Sequence, residues 1–346
     1  MTLKDSLPGS FRWLFAGVLV SLALPGRVRA APPPAAKVTG PEACVECHVE
    51  EIEAWKRTVH NKTFRELPRR PETAEMLRRL GLGKVTAERQ CQDCHFLGKI
   101  VDDEYQNVAG IACESCHGAD NDWVKTHGDY GQGVTQATES AAHRDARRAQ
   151  AAANGLIDPT QLYTLGQACY ECHLLADEKI VNVGGHIAGS AGFNLLTWSQ
   201  GEVRHTIPRT GKKTNPEATP EHRRKLFVVG CILETEYCFR AVAQASEKAT
   251  FGLTQAHRAD AARQLLEKIQ GLAPTPGLAG IIAVARATGL RLNNRAELIA
   301  AADKIALLGR AFTAQVTGEQ LAGIDALLPG ADLYKGKPYE PVAAAP

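Results

Sequence analysis

Four copies of Cys-x-x-Cys-His constrain this chain more than anything else in it. They are Cys44-Cys47-His48, Cys91-Cys94-His95, Cys113-Cys116-His117 and Cys169-Cys172-His173. This is the attachment motif of c-type haem. Both thiols add to the vinyl groups of one porphyrin. Two cysteines one helical turn apart can straddle a porphyrin edge, and a histidine directly after them can swing under the iron. Zinc sites also use cysteine pairs, but they do not need a histidine after each second cysteine. A redox dithiol would not recur four times. The implied cofactors are four covalently bound haem c groups, with His48, His95, His117 and His173 as axial iron ligands. The remaining cysteines, Cys231 and Cys238, fall in a predicted helix. Seven residues of helix span about 10 Å, too far for a disulfide, so they read as buried thiols.

Residues 1–30 read as an export signal. Lys4 and Arg12 precede an apolar run from Trp13 to Leu24, followed by Pro25-Gly26 and Val28-Arg29-Ala30. That order of charged, apolar and small residues predicts cleavage near Ala30. The apolar run falls short of the roughly 20 residues a spanning helix needs. No later segment is long and apolar enough either. The expectation is a periplasmic or otherwise exported protein with no transmembrane segment in its mature chain. The full sequence has 40 basic and 38 acidic residues, a net charge of +2. That near-balance gives no support to nucleic-acid binding. Losing Lys4, Arg12, Arg27, Arg29 and Asp5 with the signal moves the net charge to −1.

Seven histidines remain as second axial ligands. A second histidine makes a haem six-coordinate and suits it to electron transfer; without one, the iron is open to a small molecule. His60 follows His48 through a stretch with no Gly or Pro that reads as helix. A helix of that length carries His60 about 18 Å from His48, towards a neighbouring haem. Trp55, on the way, can pack on a porphyrin. His127 stands ten residues after His117 and could also serve another haem. His186, behind Gly184-Gly185, and His205 can each close the fourth haem, and His205 is favoured. No histidine lies between His95 and Cys113. The haem on His95 is therefore the candidate for an open, five-coordinate iron, unless His186 fills it. His143, His222 and His257 read as solvated side chains.

The run Cys44-x-x-Cys47-His48 with Trp55 and His60, then Cys113-Glu114-Ser115-Cys116-His117-Gly118 with His127, resembles the cytochrome c-554 family. The resemblance covers about Pro41 to Ile207. It implies a periplasmic tetrahaem cytochrome of the kind that accepts electrons from hydroxylamine oxidoreductase in ammonia oxidisers. It also implies three bis-histidine haems and a five-coordinate second haem, here that of Cys91, Cys94 and His95. By the same resemblance His60 would serve the third haem and His127 the first. Some related multihaem reductases replace a proximal histidine by lysine. No Cys-x-x-Cys-Lys occurs here, which argues against an ammonia-forming nitrite reductase.

The expected fold is mainly α: a multihaem cytochrome c domain with stacked haems, followed by a C-terminal helical bundle. The expected divisions are a signal at 1–30, a Pro-rich leader at 31–40, a tetrahaem domain at 41–207 and a linker at 208–220. A helical domain at 221–330 and a tail at 331–346 follow. Glu221 to Lys248, Gln255 to Ile269, Leu278 to Ala287, Ala296 to Val316 and Gly318 to Leu328 have helical spacing, with Gly271, Pro274 and Pro276 between them. Four haems in about 165 residues leave little ordinary apolar core, so the porphyrins must supply it. The chain reads as a carrier of single electrons between redox partners, such as a multihaem oxidoreductase or a quinone-linked cytochrome. The alternative is a small-molecule oxidoreductase acting on nitric oxide, hydroxylamine or similar at an open haem on His95. A third reading makes the helical tail the contact to a membrane complex.

Overall fold

The structure is a computed structural model and describes residues 32–174, 177–207 and 214–341. The expected signal and its cleavage at Ala30 lie outside the described residues. So do residues 208–213 of the expected linker and 342–346 of the tail.

The chain is mainly α, as its motifs and spacing lead one to expect. Short helices dominate the first half: α1 (Val49–Lys56), α2 (Val59–Glu66), α3 (Pro71–Leu80) and α4 (Arg89–His95). A hairpin of β1 (Leu97–Val101) and β2 (Glu104–Ala109) follows. Then come α5 (Cys113–His117), α6 (Val124–His127), α7 (Ala141–Ala153), α8 (Leu162–Leu174), α9 (Glu178–Asn182) and α10 (Leu195–Ser199). The second half holds four longer helices: α11 (Pro220–Val242), α12 (Thr250–Leu272), α13 (Pro276–Ala287) and α14 (Arg295–Gln315). A 3-10 segment, Glu319–Leu327, replaces the last expected helix.

Two local features differ from the sequence expectation. The helix from Val49 to His60 is not continuous. It stops at Lys56, and α2 starts afresh behind Thr58 as its N-cap. Thr58 Oγ1 donates to Trp55 O at 2.7 Å and accepts from Asn61 N at 3.3 Å. A threonine side chain that satisfies backbone groups in this way competes with the helical ladder. The hairpin is the second difference. Its turn, Asp102-Asp103, has φ of 49° and 63°, the double left-handed conformation that closes two-residue hairpins.

One apolar core dominates. Helix α11 is its axis, buried on nearly all sides and packed by α8, α10, α12 and α14. Leu226, Phe227, Val229, Ile232, Leu233 and Tyr237 are all buried, and so are the free thiols of Cys231 and Cys238. The same core takes in Leu162, Tyr163, Tyr170 and Leu174 of α8, so it reaches into the helix that carries the fourth motif. Elsewhere in the first half the apolar clusters are small. One consists of Val38, Leu97, Ala109 and Ala112; another of Ala54, Ile207 and Tyr339. Among the described residues no helix is long and apolar enough to cross a membrane.

Candidate haem-binding sites

Each motif lies on or beside a short helix. The second, third and fourth end α4, α5 and α8, and His48 of the first is the residue just before α1. The motifs are brought together in space. The thiols of Cys44 and Cys113 lie against one another, as do those of Cys94 and Cys172, and Cys116 lies close enough to Cys169 to raise its pKa. First motif thus meets third, second meets fourth, and third meets fourth.

Every motif histidine faces one other histidine. The ring centres are 6.1 Å apart for His48 and His127, and 6.2 Å for His95 and His186. They are 6.2 Å apart for His117 and His205, and 6.2 Å for His173 and His60. Two imidazoles bound to opposite sides of one iron, with metal–nitrogen bonds of about 2 Å, hold their ring centres about 6 Å apart. The four pairs therefore have the separation that one iron between each would require.

The hydrogen bonds suit that role. The Nδ1 of His117 donates to Ile157 O at 2.9 Å, and that of His127 to Val124 O at 2.6 Å. His186 donates to Ile187 O at 2.8 Å, and His205 to Val203 O at 2.7 Å. A carbonyl can only accept, so each of these rings carries a proton on Nδ1, which leaves Nε2 as the nitrogen that can bind a metal. Metal-bound histidines usually have their second nitrogen fixed in this way. His173 Nδ1 lies 2.7 Å from Ser190 Oγ, and the Glu51 carboxylate lies 3.5 Å from His48 Nδ1. Burial pushes His95 down to about 4 and His173 to about 3, which keeps both imidazoles neutral.

The surroundings hold these rings. Phe193 stacks on His173 at 4.4 Å and Trp198 meets it edge-on at 4.6 Å. Helix α12 reaches the same place: Arg258 pairs with Glu234 of α11 and donates to Ser190 O at 2.8 Å. Gly185, at φ 82°, lets the chain turn after α9 so that His186 meets His95. Trp123 lies edge-on to His127 at 5.2 Å, and Arg147 hydrogen-bonds the His127 carbonyl. Trp55 Nε1 donates to Ile111 O at 2.8 Å. Beneath the third motif, Glu114 and Asp120 form a buried carboxyl pair, and burial raises Glu114 to about 8.

The pairing differs from several sequence expectations. Opposite His95 stands His186, from a segment 91 residues later in the chain. His205, favoured for the fourth motif, faces the third. His60 faces the fourth motif and not the third, as the family resemblance implied. Only His127 stands where that resemblance put it, beside the first motif. Spacing along the chain carries no signal for these choices, because they follow from how distant segments cross. His143 is exposed and bonds Glu139 at 2.7 Å, and His257 is exposed. His222 is half-buried in the first turn of α11.

His60 is set by a close backbone approach. Ile111 N donates to His60 O at 3.2 Å, and a Cβ on Gly110 would sit 2.1 Å from that oxygen. Gly110→Ala is expected to push His60 away from His173. The purified holoprotein would then show a new high-spin signal from one haem. An unchanged low-spin spectrum with full haem content would refute this.

A family model described as "Cytochrome c554 and c-prime" matches residues 43–118. Cytochrome c-554 of Nitrosomonas europaea is 26% identical over 143 residues, which is 39% of this chain and 57% of that protein. The match thus spans little more than half of the relative. No solved structure matches. The third motif, the first and the stretch between them lie inside the matched region. By these motifs and both matches, residues 43–118 carry the sequence of the cytochrome c-554 family, and the chain is a c-type cytochrome.

Proposed function

We propose that the protein is an exported tetrahaem cytochrome that passes single electrons between redox partners. The observation that carries this reading is the set of four facing imidazole pairs. In it Cys44, Cys47, Cys91, Cys94, Cys113, Cys116, Cys169 and Cys172 anchor four haems. His48 with His127, His95 with His186, His117 with His205 and His173 with His60 would hold the four irons. Bound haem supplies reversible one-electron chemistry at iron, with a potential set by ligands, hydrogen bonds and burial. The chain's own residues do the rest. Backbone carbonyls fix the Nδ1 protons of His117, His127, His186 and His205, and burial keeps His95 and His173 neutral. The thiol contacts support the spatial order first, third, fourth, second motif. Electrons entering at one end of that order would leave at the other.

The rival enzyme reading needed an open iron at His95. His186 stands at ligand separation there, so nothing in the site favours that reading. Redox proteins are the natural partners, a multihaem oxidoreductase or a quinone-linked cytochrome among them.

The test uses purified holoprotein. Haem is counted as the pyridine haemochrome, and spin state is read from the optical and EPR spectra. Four haems per chain, all low-spin and unchanged when carbon monoxide or nitric oxide meets the reduced protein, is the expected result. A stoichiometric high-spin haem that binds either gas would overturn the proposal and restore the enzyme reading.

A further inference from the structure

The C-terminal tail crosses the segment that carries His205 and reaches α1 beyond it. Lys335 N donates to Thr197 O at 3.1 Å, and Glu202 N donates to Lys335 O at 2.8 Å. Gly201 makes this crossing possible, since a Cβ there would sit 2.0 Å from Lys335 O. Four residues on, Tyr339 is buried against Ile207 and Ala54. Its hydroxyl donates to Glu50 at 2.7 Å, and Arg57 lies over its ring at 4.6 Å. Glu50 lies in the first turn of α1 and Arg57 is its C-cap, directly after the first motif.

Asn215 closes the arrangement. It is 1% exposed. Its Nδ2 donates to Arg204 O and to Tyr339 O, both at 2.8 Å, and its Oδ1 accepts from Thr206 N at 2.9 Å. The residues on either side of His205 are therefore bonded by one buried amide that is also bonded to the tail. A buried amide with both ends satisfied has one stable orientation, and losing it leaves backbone groups unpaired. His205 itself is exposed, and its Nδ1 donates to Val203 O. Its position comes from its neighbours in the chain.

We infer that residues 335–340 and Asn215 form a clasp that positions His205 as the second axial ligand of the third haem. Asn215 and Tyr339 are positioning residues, acting through the backbone at 204–207. The inference rests on the ligand pairing proposed above. It also gives the C-terminal extension a role at a haem site.

The experiment compares holoprotein variants by haem count, high-spin fraction and carbon monoxide bound per reduced chain. His205→Ala is expected to bind one carbon monoxide per chain, against none for the unaltered protein. Asn215→Ala and Tyr339→Ala are expected to keep four haems and bind up to one. Tyr339→Phe, which keeps the ring and the backbone carbonyl, is expected to stay near zero. Adding Tyr339→Ala to His205→Ala should bind no more gas than His205→Ala alone. Two fully loaded, wholly low-spin variants at Asn215 and Tyr339 would overturn the clasp, as would added uptake in the double variant. If His205→Ala itself binds nothing, the assignment of His205 fails and the fault lies in the pairing. Should the Ala variants lose haem, hydrogen exchange of the unaltered protein decides: the amides of Glu202, Thr206 and Lys335 must open together. Independent opening of Lys335 would overturn the clasp.

Discussion

Produced without haem attachment, the chain is expected to keep its C-terminal helices and lose order in most of its first half. Ordering a residue costs about 1–2 kcal/mol of backbone entropy, and buried apolar surface must offset it. Helices α11 to α14, with α8, share a core of fully buried side chains such as Phe239, Phe251, Leu233 and Ile305. The segment from Val38 to Ala153 has only small clusters around Leu97 and Ala54. Its helices α1 to α6 are each ten residues or fewer, too short to hold without tertiary support. Replacing all eight motif cysteines with alanine makes the test. Roughly a third of the helical far-UV signal should disappear, that of α1 to α7. Limited proteolysis should leave a fragment that begins between α7 and α8. A haem-free chain with full dichroism and protease resistance throughout would refute the expectation.

The second large effect is expected at Glu236. This carboxylate is fully buried in the middle of α11. Tyr163 of α8 donates to it at 2.7 Å, and Arg240 pairs with it at 2.8 Å. Arg240 also pairs with Asp303 of α14 at 2.8 Å. Three helices thus meet through one buried ionic group. Burial raises the Glu236 carboxyl, and Arg240 opposes that shift. Glu236→Ala leaves a nearly buried guanidinium and a buried phenol without their partner. Breaking a buried pair in this way costs about 3–5 kcal/mol. Replacing both Glu236 and Arg240 with leucine should cost far less, because no charge is then stranded. Denaturant unfolding of the single and double variants measures both. A loss below about 1 kcal/mol for Glu236→Ala would show that water reaches the site and that the network is not a structural link.

The parts of this structure legible in the sequence are those set by local chemistry. Attachment motifs are covalent and contiguous, so Cys44 to His173 could be read outright. Helices α11 to α14 follow their apolar spacing to within a few residues, apart from Lys248, which the first of them does not reach. The missed features are of two kinds. Thr58 and Asp102-Asp103 act through side-chain capping and left-handed turns, which a spacing rule overlooks. The partners of His95, His117 and His173 depend on which segments cross, and that is fixed by the whole fold. Gly110 and Asn215 belong with the second kind. Their roles become visible only when the backbone they touch is known.

The facing pairs have a consequence for how the molecule can be made. Drawn as arcs on the sequence, they run from 48 to 127, 60 to 173, 95 to 186 and 117 to 205. Every arc crosses every other. No stretch of chain ending before residue 127 contains both members of any pair. On the pairing proposed above, a chain threaded N-terminus first exposes three attachment motifs before iron could tie any loop. The loops, once tied, are long, roughly 80 to 110 residues each. Closing loops of that length restricts an unfolded chain by about 4–5 kcal/mol apiece in a simple entropy model. Because they interlock, releasing one still leaves its two ends tethered through the other three. Such a molecule is easy to load while it is slack and hard to unravel once it is knitted.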